Sequence, residues 1–279
     1  MNNDHQQQTP ARLDPRLPLS LVLGAGGVRG MAHVGVLDAL VARGFRITEI
    51  VGASVGALIL AFYAGVGMDV PTLRTFGINL TSRHLLAWAW LRRAPDALRK
   101  RFEHRAGIIP GSLEQLAAVS GGRLHHGVER IGVVAYDLVA REEVFFHNLQ
   151  ADFALDDATR GAVAIPYVYP PRECTVSGRR LRLVDGGLSN LLPVDYLFAP
   201  PFCSQQVLAV DVSNRARQRQ ANLAKVEALS RAHPDISITV LQPDTLGRAT
   251  LVYRRAELQS LIDSGRRAAD LALGESKIL

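Results

Sequence analysis

Ser54 stands in Gly52-Ala-Ser-Val-Gly56, between the apolar run Ile47-Thr-Glu-Ile-Val51 and a second apolar stretch of helical character. A serine on a sharp strand-to-helix turn can serve as a nucleophile, because the turn pushes its hydroxyl out at the edge of a sheet. Side chains at positions 52 and 56 would collide with neighbouring backbone, which accounts for the glycines. The helix that follows points its positive end toward any anion that develops. Capping that helix is the other role open to Ser54.

A second glycine corner, Gly24-Ala-Gly-Gly-Val-Arg-Gly30, follows the apolar run Leu19 to Leu23. Backbone amides in a glycine turn that feeds a helix make a nest for anions. A dinucleotide pyrophosphate is one possible guest, but the pattern fails in detail. The third glycine of that fingerprint should fall at position 29, which is arginine, and no acidic residue ends the second strand to hold a ribose. Two glycine corners on successive strands fit one site better, with amides of the first facing the hydroxyl of the second. Arg29 either pins this loop or pairs with a substrate phosphate.

A serine needs a base. None of the eight histidines (His5, His33, His84, His104, His125, His126, His147 and His233) falls in a late loop suited to a triad. His33 reads as helix packing and His233 as a cap before Pro234. The strongest late corner is Asp185-Gly-Gly187, which closes the run Leu181 to Val184. A carboxylate beside a serine can act as general base, the more so when burial raises its pKa. Ester cleavage suits such a weak base, since an alkoxide leaves with less proton help than an amine. Standing alone, Asp185 could equally be a turn-former.

The elements that must hold these groups are legible in outline. Strand, helix, strand and helix follow one another over the first 65 residues, with tight glycine turns at both strand-to-helix corners, as at the start of a doubly wound sheet. Gly44 fits the residue just past a helix end. Further strands are expected at Ile131 to Ala135 and Glu143 to Phe146, joined as a hairpin, and at Leu181 to Val184, Val207 to Val212 and Ile236 to Leu241. Helices are expected over 221–232 and about 248–273. Residues 1–18, Gln-rich and without apolar periodicity, read as a disordered tail. One domain then spans 19–279, with 80–127 a helical, cap-like insertion.

Composition excludes several classes. Hydrophobic residues make up 48% and charged residues 21%, the balance of a globular protein rather than of disorder, collagen or coiled coil. No apolar run is long enough to span a bilayer. The first 18 residues lack the apolar core of a secretory signal, and two cysteines cannot make a disulfide framework, so a cytoplasmic protein is expected. The net charge is +6, and residues 81–105 hold seven basic residues against two acidic. Trp88 and Trp90 lie there, in Leu85-Leu-Ala-Trp-Ala-Trp-Leu91 beside Arg92 and Arg93. Such a stretch is either an interfacial anchor for an anionic membrane or a helix packed on the core. Aromatic residues are too few among these basic ones for a nucleic-acid partner to be expected.

Gly24-Ala-Gly-Gly-Val-Arg-Gly-Met-Ala-His-Val-Gly-Val-Leu37, Gly52-Ala-Ser-Val-Gly56 and Asp185-Gly-Gly-Leu-Ser-Asn190 with Pro193, in this order, resemble the patatin-like phospholipase family. The resemblance is strongest to bacterial members akin to the catalytic domain of neuropathy target esterase. Val133-Val-Ala-Tyr-Asp137, Ala164-Ile-Pro166 and Tyr169-Pro-Pro171 fall where that family keeps similar segments, and the likeness runs from about Leu19 to Pro193. It implies a three-layer α/β/α sandwich with a mostly parallel central sheet. It implies a Ser-Asp dyad at Ser54 and Asp185, without histidine, and oxyanion amides at Gly26, Gly27 and Val28, with Arg29 beside them. The implied activity is hydrolysis of fatty-acyl esters of phospholipids or lysophospholipids, with no metal or other cofactor. Ala25 departs from the family, where many members carry glycine; an amide remains, so little changes unless φ must be positive. Arg160-Gly-Ala162 is a second departure, which would reshape the wall of an acyl pocket. Two other functions compete: an α/β-hydrolase-type carboxylesterase with a Ser-His-Asp triad, which would require a histidine, and a non-catalytic lipid-binding regulator.

Overall fold

Strands β1 (Leu19–Leu23), β2 (Ile47–Ala53) and β7 (Gln206–Val210) are buried along their whole length, as parallel strands covered by helices on both faces must be. They form the centre of the sheet in the computed structural model, which describes residues 13–79 and 123–274. The remaining strands are β3 (Arg130–Asp137), β4 (Glu142–His147), β5 (Arg172–Val176), β6 (Arg179–Asp185) and β8 (Ser237–Leu241). The order across the sheet is β5-β6-β3-β2-β1-β7-β8, with β4 also paired to β3. The run β3-β2-β1-β7-β8 is parallel throughout, whereas β4, β5 and β6 are antiparallel additions at one side.

Alternation along the strands separates the two faces. Leu19, Leu21 and Leu23 of β1 and Leu208 and Val210 of β7 join one core. That core also takes in α1 (Met31–Ala42), α2 (Val55–Leu60), α3 (Val70–Asn79), α4 (Leu155–Ala162) and α6 (Arg255–Leu273). Val22, Val51, Val207 and Ala209 point the other way and pack with Leu197, Phe202 and Val226, the last on α5 (Ala216–Ala232). The result is the expected α/β sandwich, mostly parallel, with helices on both sides.

Several elements differ from expectation for identifiable reasons. The final helix starts at Arg255 rather than near 248, because residues 249–250 are drawn into contacts with the first glycine corner. A box then starts the helix, with Arg254 N–H donating to Glu257 Oε2 at 3.0 Å. Strand β5 escaped a reading based on apolar runs, since as an edge strand it is only half buried. Its link to β6 is the two-residue turn Ser177-Gly178, with φ of 49° and 76°, a hairpin signal that the sequence does carry. The last six residues of the expected tail are tied down: Leu13 is buried, and Gln206 Nε2 donates to the carbonyls of Asp14 at 2.7 Å and Leu17 at 3.1 Å. The cap-like insertion, with Trp88, Trp90, Arg92 and Arg93, lies outside the described residues except for 123–127. Among the described residues no helix is long and apolar enough to cross a membrane.

Candidate active site

Strand β3 is the template that brings distant residues together. One of its edges pairs with β4 over Gly132 to Asp137. The other edge is shared end to end. Strand β2 pairs with it as far as Ala53 opposite Val134, and β6 takes over one residue later, with Asp185 opposite Ala135. The two strands run in opposite directions and meet at their C-terminal ends, so the residue after Ala53 faces Asp185. Asp185 lies at the C-terminal end of β6, which is antiparallel to β3 and stops part-way along it. Gly186 lets the chain leave at once, since a Cβ there would lie 2.2 Å from the Val134 carbonyl oxygen.

Ser54 occupies the turn from β2 into α2 with φ 54° and ψ −125°. A side chain rarely adopts this conformation, and holding it costs on the order of 1–3 kcal/mol. The surroundings enforce it: at position 56 any Cβ would stand 2.0 Å from the Leu23 carbonyl oxygen, so β1 and α2 touch through glycine. The hydroxyl makes no cap to its own helix. It donates instead to Asp185 Oδ2 at 2.6 Å, across a separation of 131 residues. The other carboxylate oxygen, Oδ1, accepts the N–H of Gly187 at 2.8 Å. Both residues are buried, and burial pushes the Asp185 carboxyl up to about 6 despite the lowering effect of its two hydrogen bonds. The pair is thus a serine whose proton already points at a carboxylate of raised basicity. Among the described histidines none bonds to either residue; His33 lies under the first glycine corner, and His233 stacks on Phe198.

The first glycine corner leaves β1 and passes through a short 3-10 turn, Gly27–Gly30, into α1. Gly27 has φ +56°, and a Cβ there would lie 2.4 Å from the Thr250 carbonyl oxygen. Within the described residues the N–H groups of Gly26 and Gly27 have no acceptor. Val28 differs from the expectation, because its N–H donates to the Thr250 carbonyl at 3.0 Å and is spent. Arg29 is also committed. Its Nε donates to the Val212 carbonyl at 2.9 Å and its Nη1 to Thr250 Oγ1 at 2.7 Å. These bonds are those of a loop pin, the first of the two roles open to Arg29. Burial, and then the charge of Arg219, push its pKa down to about 10, so it stays cationic at neutral pH. Ala25 has no positive φ; its N–H donates to the Leu191 carbonyl at 2.8 Å, and its methyl group packs near Gly187.

Three groups have supporting roles that sequence reasoning did not assign. His33 Nε2 lies 2.8 Å from the Gly24 carbonyl oxygen, Thr250 holds the far side of the corner, and Lys225 Nζ donates to Asn190 Oδ1 at 2.8 Å, securing the end of the Asp185 loop. Only His33 had a signal, its place one helical turn after the glycine corner; Thr250 and Lys225 act across folds of the chain that spacing does not reveal. Leu188, just after the Asp185 corner, is exposed, as are Tyr167, three residues after the Ala164 carbonyl that accepts Asp185 N–H, and Val252, two residues after Thr250. Among the described residues no group of three or more His, Cys, Asp or Glu could hold a metal ion.

The family model described as patatin-like phospholipase matches residues 21–198. An uncharacterized NTE family protein of Mycobacterium tuberculosis is 34% identical over 186 residues, covering 63% of this chain and 44% of that protein. The chain therefore spans less than half of that relative's length. Lysophospholipase NTE1 of Mycosarcoma maydis is 42% identical over a shorter stretch of 76 residues, 26% of this chain and 4% of that one. Among solved structures, human GIVD cytosolic phospholipase A2 in complex with methyl gamma-linolenyl fluorophosphonate aligns with a TM-score of 0.54 at 13% identity, covering 94% of this chain and 58% of that one. At that identity the likeness is one of fold.

Proposed function

The chain belongs to the patatin-like phospholipase family, and we propose that it is a serine acyl hydrolase that cleaves fatty-acyl esters of phospholipids or lysophospholipids through Ser54 and Asp185. One observation carries this reading: the Ser54 hydroxyl, held on a strained turn, donates at 2.6 Å to a buried carboxylate. Asp185 takes the hydroxyl proton as Ser54 Oγ attacks the ester carbonyl. The N–H groups of Gly26 and Gly27 receive the oxyanion, each well-placed donor contributing roughly 3–4 kcal/mol in enzymes of this chemistry. The tetrahedral intermediate collapses, Asp185 returns the proton to the departing alkoxide, and Ser54 is left acylated. Asp185 then takes a proton from water as the water attacks the acyl carbon, and returns it to Ser54 Oγ as the fatty acid leaves. With a carboxyl raised to about 6, Asp185 is ionised at neutral pH yet basic enough to accept a proton.

Lipid as substrate is supported by the family. In the same reading the Trp88–Arg93 stretch meets an anionic membrane surface. Sedimentation with anionic vesicles tests that contact, and unchanged binding after Trp88→Ala with Arg92→Ala ends it. The hydrolase reading is tested with lysophospholipid and p-nitrophenyl ester substrates together with fluorophosphonate labelling. Wild type hydrolyses and is labelled, while Ser54→Ala and Asp185→Asn lose hydrolysis by at least about a thousandfold, as expected for members of one catalytic unit. Full turnover in either variant overturns the reading. Loss of turnover on replacing His125, His126, His147 or His233 would instead favour a triad.

A further inference from the structure

Beneath the first glycine corner lies a polar side chain that touches neither member of the dyad. His33, in the first turn of α1, is wholly buried, with Nε2 2.8 Å from the Gly24 carbonyl oxygen. A carbonyl accepts, so the ring carries its proton on Nε2, and Nδ1 is bare with no partner among the described residues. Burial pushes the ring down to about 4, outweighing the raising effects of the Gly24 carbonyl and Asp211, so the donor is a neutral imidazole across the working range of a carboxylate base.

The Gly24 carbonyl shares a peptide plane with the N–H of Ala25, and that N–H donates to the Leu191 carbonyl. The plane is therefore gripped on both sides, by α1 through His33 and by the loop after Asp185 through Leu191. The next plane but two is gripped as well, since Val28 N–H is taken by the Thr250 carbonyl and Thr250 is held by Arg29. Between the grips lie the planes that carry the N–H groups of Gly26 and Gly27. Two adjacent glycines have little intrinsic stiffness, so besides the bond from Arg29 N–H to the Gly26 carbonyl at 3.3 Å their direction depends on what holds the ends.

We propose that His33 is a positioning residue for the oxyanion hole: its Nε2–H, acting on the Gly24 carbonyl, fixes the peptide plane from which the Gly26 and Gly27 amides are aimed at the Ser54 ester. This rests on the reading of Ser54 and Asp185 as an acyl-hydrolase pair. Misplacement of reacting groups by an ångström costs up to about a hundredfold in rate, which sets the scale of the effect.

The experiment compares His33→Leu, which keeps bulk without a donor, with His33→Gln, whose side-chain N–H reaches where Nε2 does. His33→Asn, one methylene shorter, serves should the leucine variant fail to fold. With a p-nitrophenyl ester, His33→Leu is expected to lower kcat by ~10–100-fold with KM changed less than about threefold. Fluorophosphonate labelling slows in step, because the phosphoryl oxygen needs the same amides. His33→Gln recovers at least about tenfold of the loss, a rescue that bulk alone would not produce. Equal losses in the leucine and glutamine variants, or a raised KM with unchanged kcat, overturn the proposal. Absence of both hydrolysis and labelling in wild type overturns the hydrolase reading and this proposal with it, whereas an active wild type with an unimpaired His33→Leu removes only the role of His33.

Discussion

Asp185→Asn should destroy activity and strengthen the fold. The Asp185 carboxyl is raised from 3.8 to about 6 by burial. Between those two values the folded chain holds a proton that the unfolded chain has released, so stability falls as pH rises through this window, and the full cost is present above about pH 7. A shift near two units, at about 1.36 kcal/mol per unit, makes that cost about 3 kcal/mol. Asparagine carries no charge and escapes it. Its Oδ1 can accept the Gly187 N–H that Asp185 Oδ1 now accepts, and its Nδ2 can donate to the Ser54 oxygen with the direction of that bond reversed. Some of the gain is lost because a charge-assisted bond becomes a neutral one, so the net expectation is about 1–3 kcal/mol at pH 8. For a domain of this size that corresponds to a rise in Tm of roughly 3–8 °C. The advantage should shrink to under about 1 kcal/mol near pH 4, where the wild-type carboxyl is protonated in the folded state. Thermal unfolding of both proteins at pH 4 and pH 8 reads this directly, since the other titrating groups cancel in the difference. A variant no more stable than wild type at pH 8, or an advantage that ignores pH, would refute the reasoning.

Three further outcomes are expected. The kcat/KM of a p-nitrophenyl ester should rise through about pH 6 and then level, because Asp185 must be ionised to act; a flat profile between pH 5 and 8 would remove it as the base. Ser54→Gly and Ser54→Ala should both be inactive, but the glycine variant should be the more stable by about 1 kcal/mol in denaturant unfolding, because only glycine is at ease with φ 54°; equal stabilities would mean the turn is not strained. Arg29→Lys should lower turnover of a phospholipid and of a p-nitrophenyl ester alike, with a stability loss of ~1–3 kcal/mol, because lysine cannot reproduce the bonds to Val212 and Thr250. A rise in KM confined to the phospholipid would instead restore Arg29 as a phosphate partner.

The two strand-to-helix corners were readable because the glycines that mark them stand close together in sequence. A Gly-x-Ser-x-Gly pattern after an apolar run reports backbone crowding: at position 52 an added Cβ meets the backbone of Gly56 and Ala57 at 2.6 Å, and at position 56 it meets the Leu23 carbonyl of β1 at 2.0 Å. Asp185 was readable as a residue, but the reason for its placement was not: that β6 runs antiparallel and abuts β2 along one edge of β3 is a fact of topology, carried by no spacing. The fates of Val28 and Arg29 were hidden for the same reason, since the groups that claim them, Thr250 and Val212, come more than 180 residues later. Thr250 lies where apolar periodicity suggests helix, and its contact with the glycine corner overrides that preference. Half-buried β5 shows the limit of reading strands by hydrophobicity alone, while its Ser-Gly turn shows that turn chemistry carries information that apolar runs lack.

The end-to-end meeting of β2 and β6 on β3 has a bearing on how such a protein comes into being. The serine is laid down early in synthesis and its carboxylate 131 residues later, and the two are brought into register only by a strand that lies between them in sequence. A nascent or partly opened chain thus holds a hydroxyl with nothing to take its proton. Under the proposed chemistry, the capacity to attack lipid arrives last, with closure of the sheet, and leaves first if the Asp185 arm is cut free, so that the finished topology is itself the safety catch.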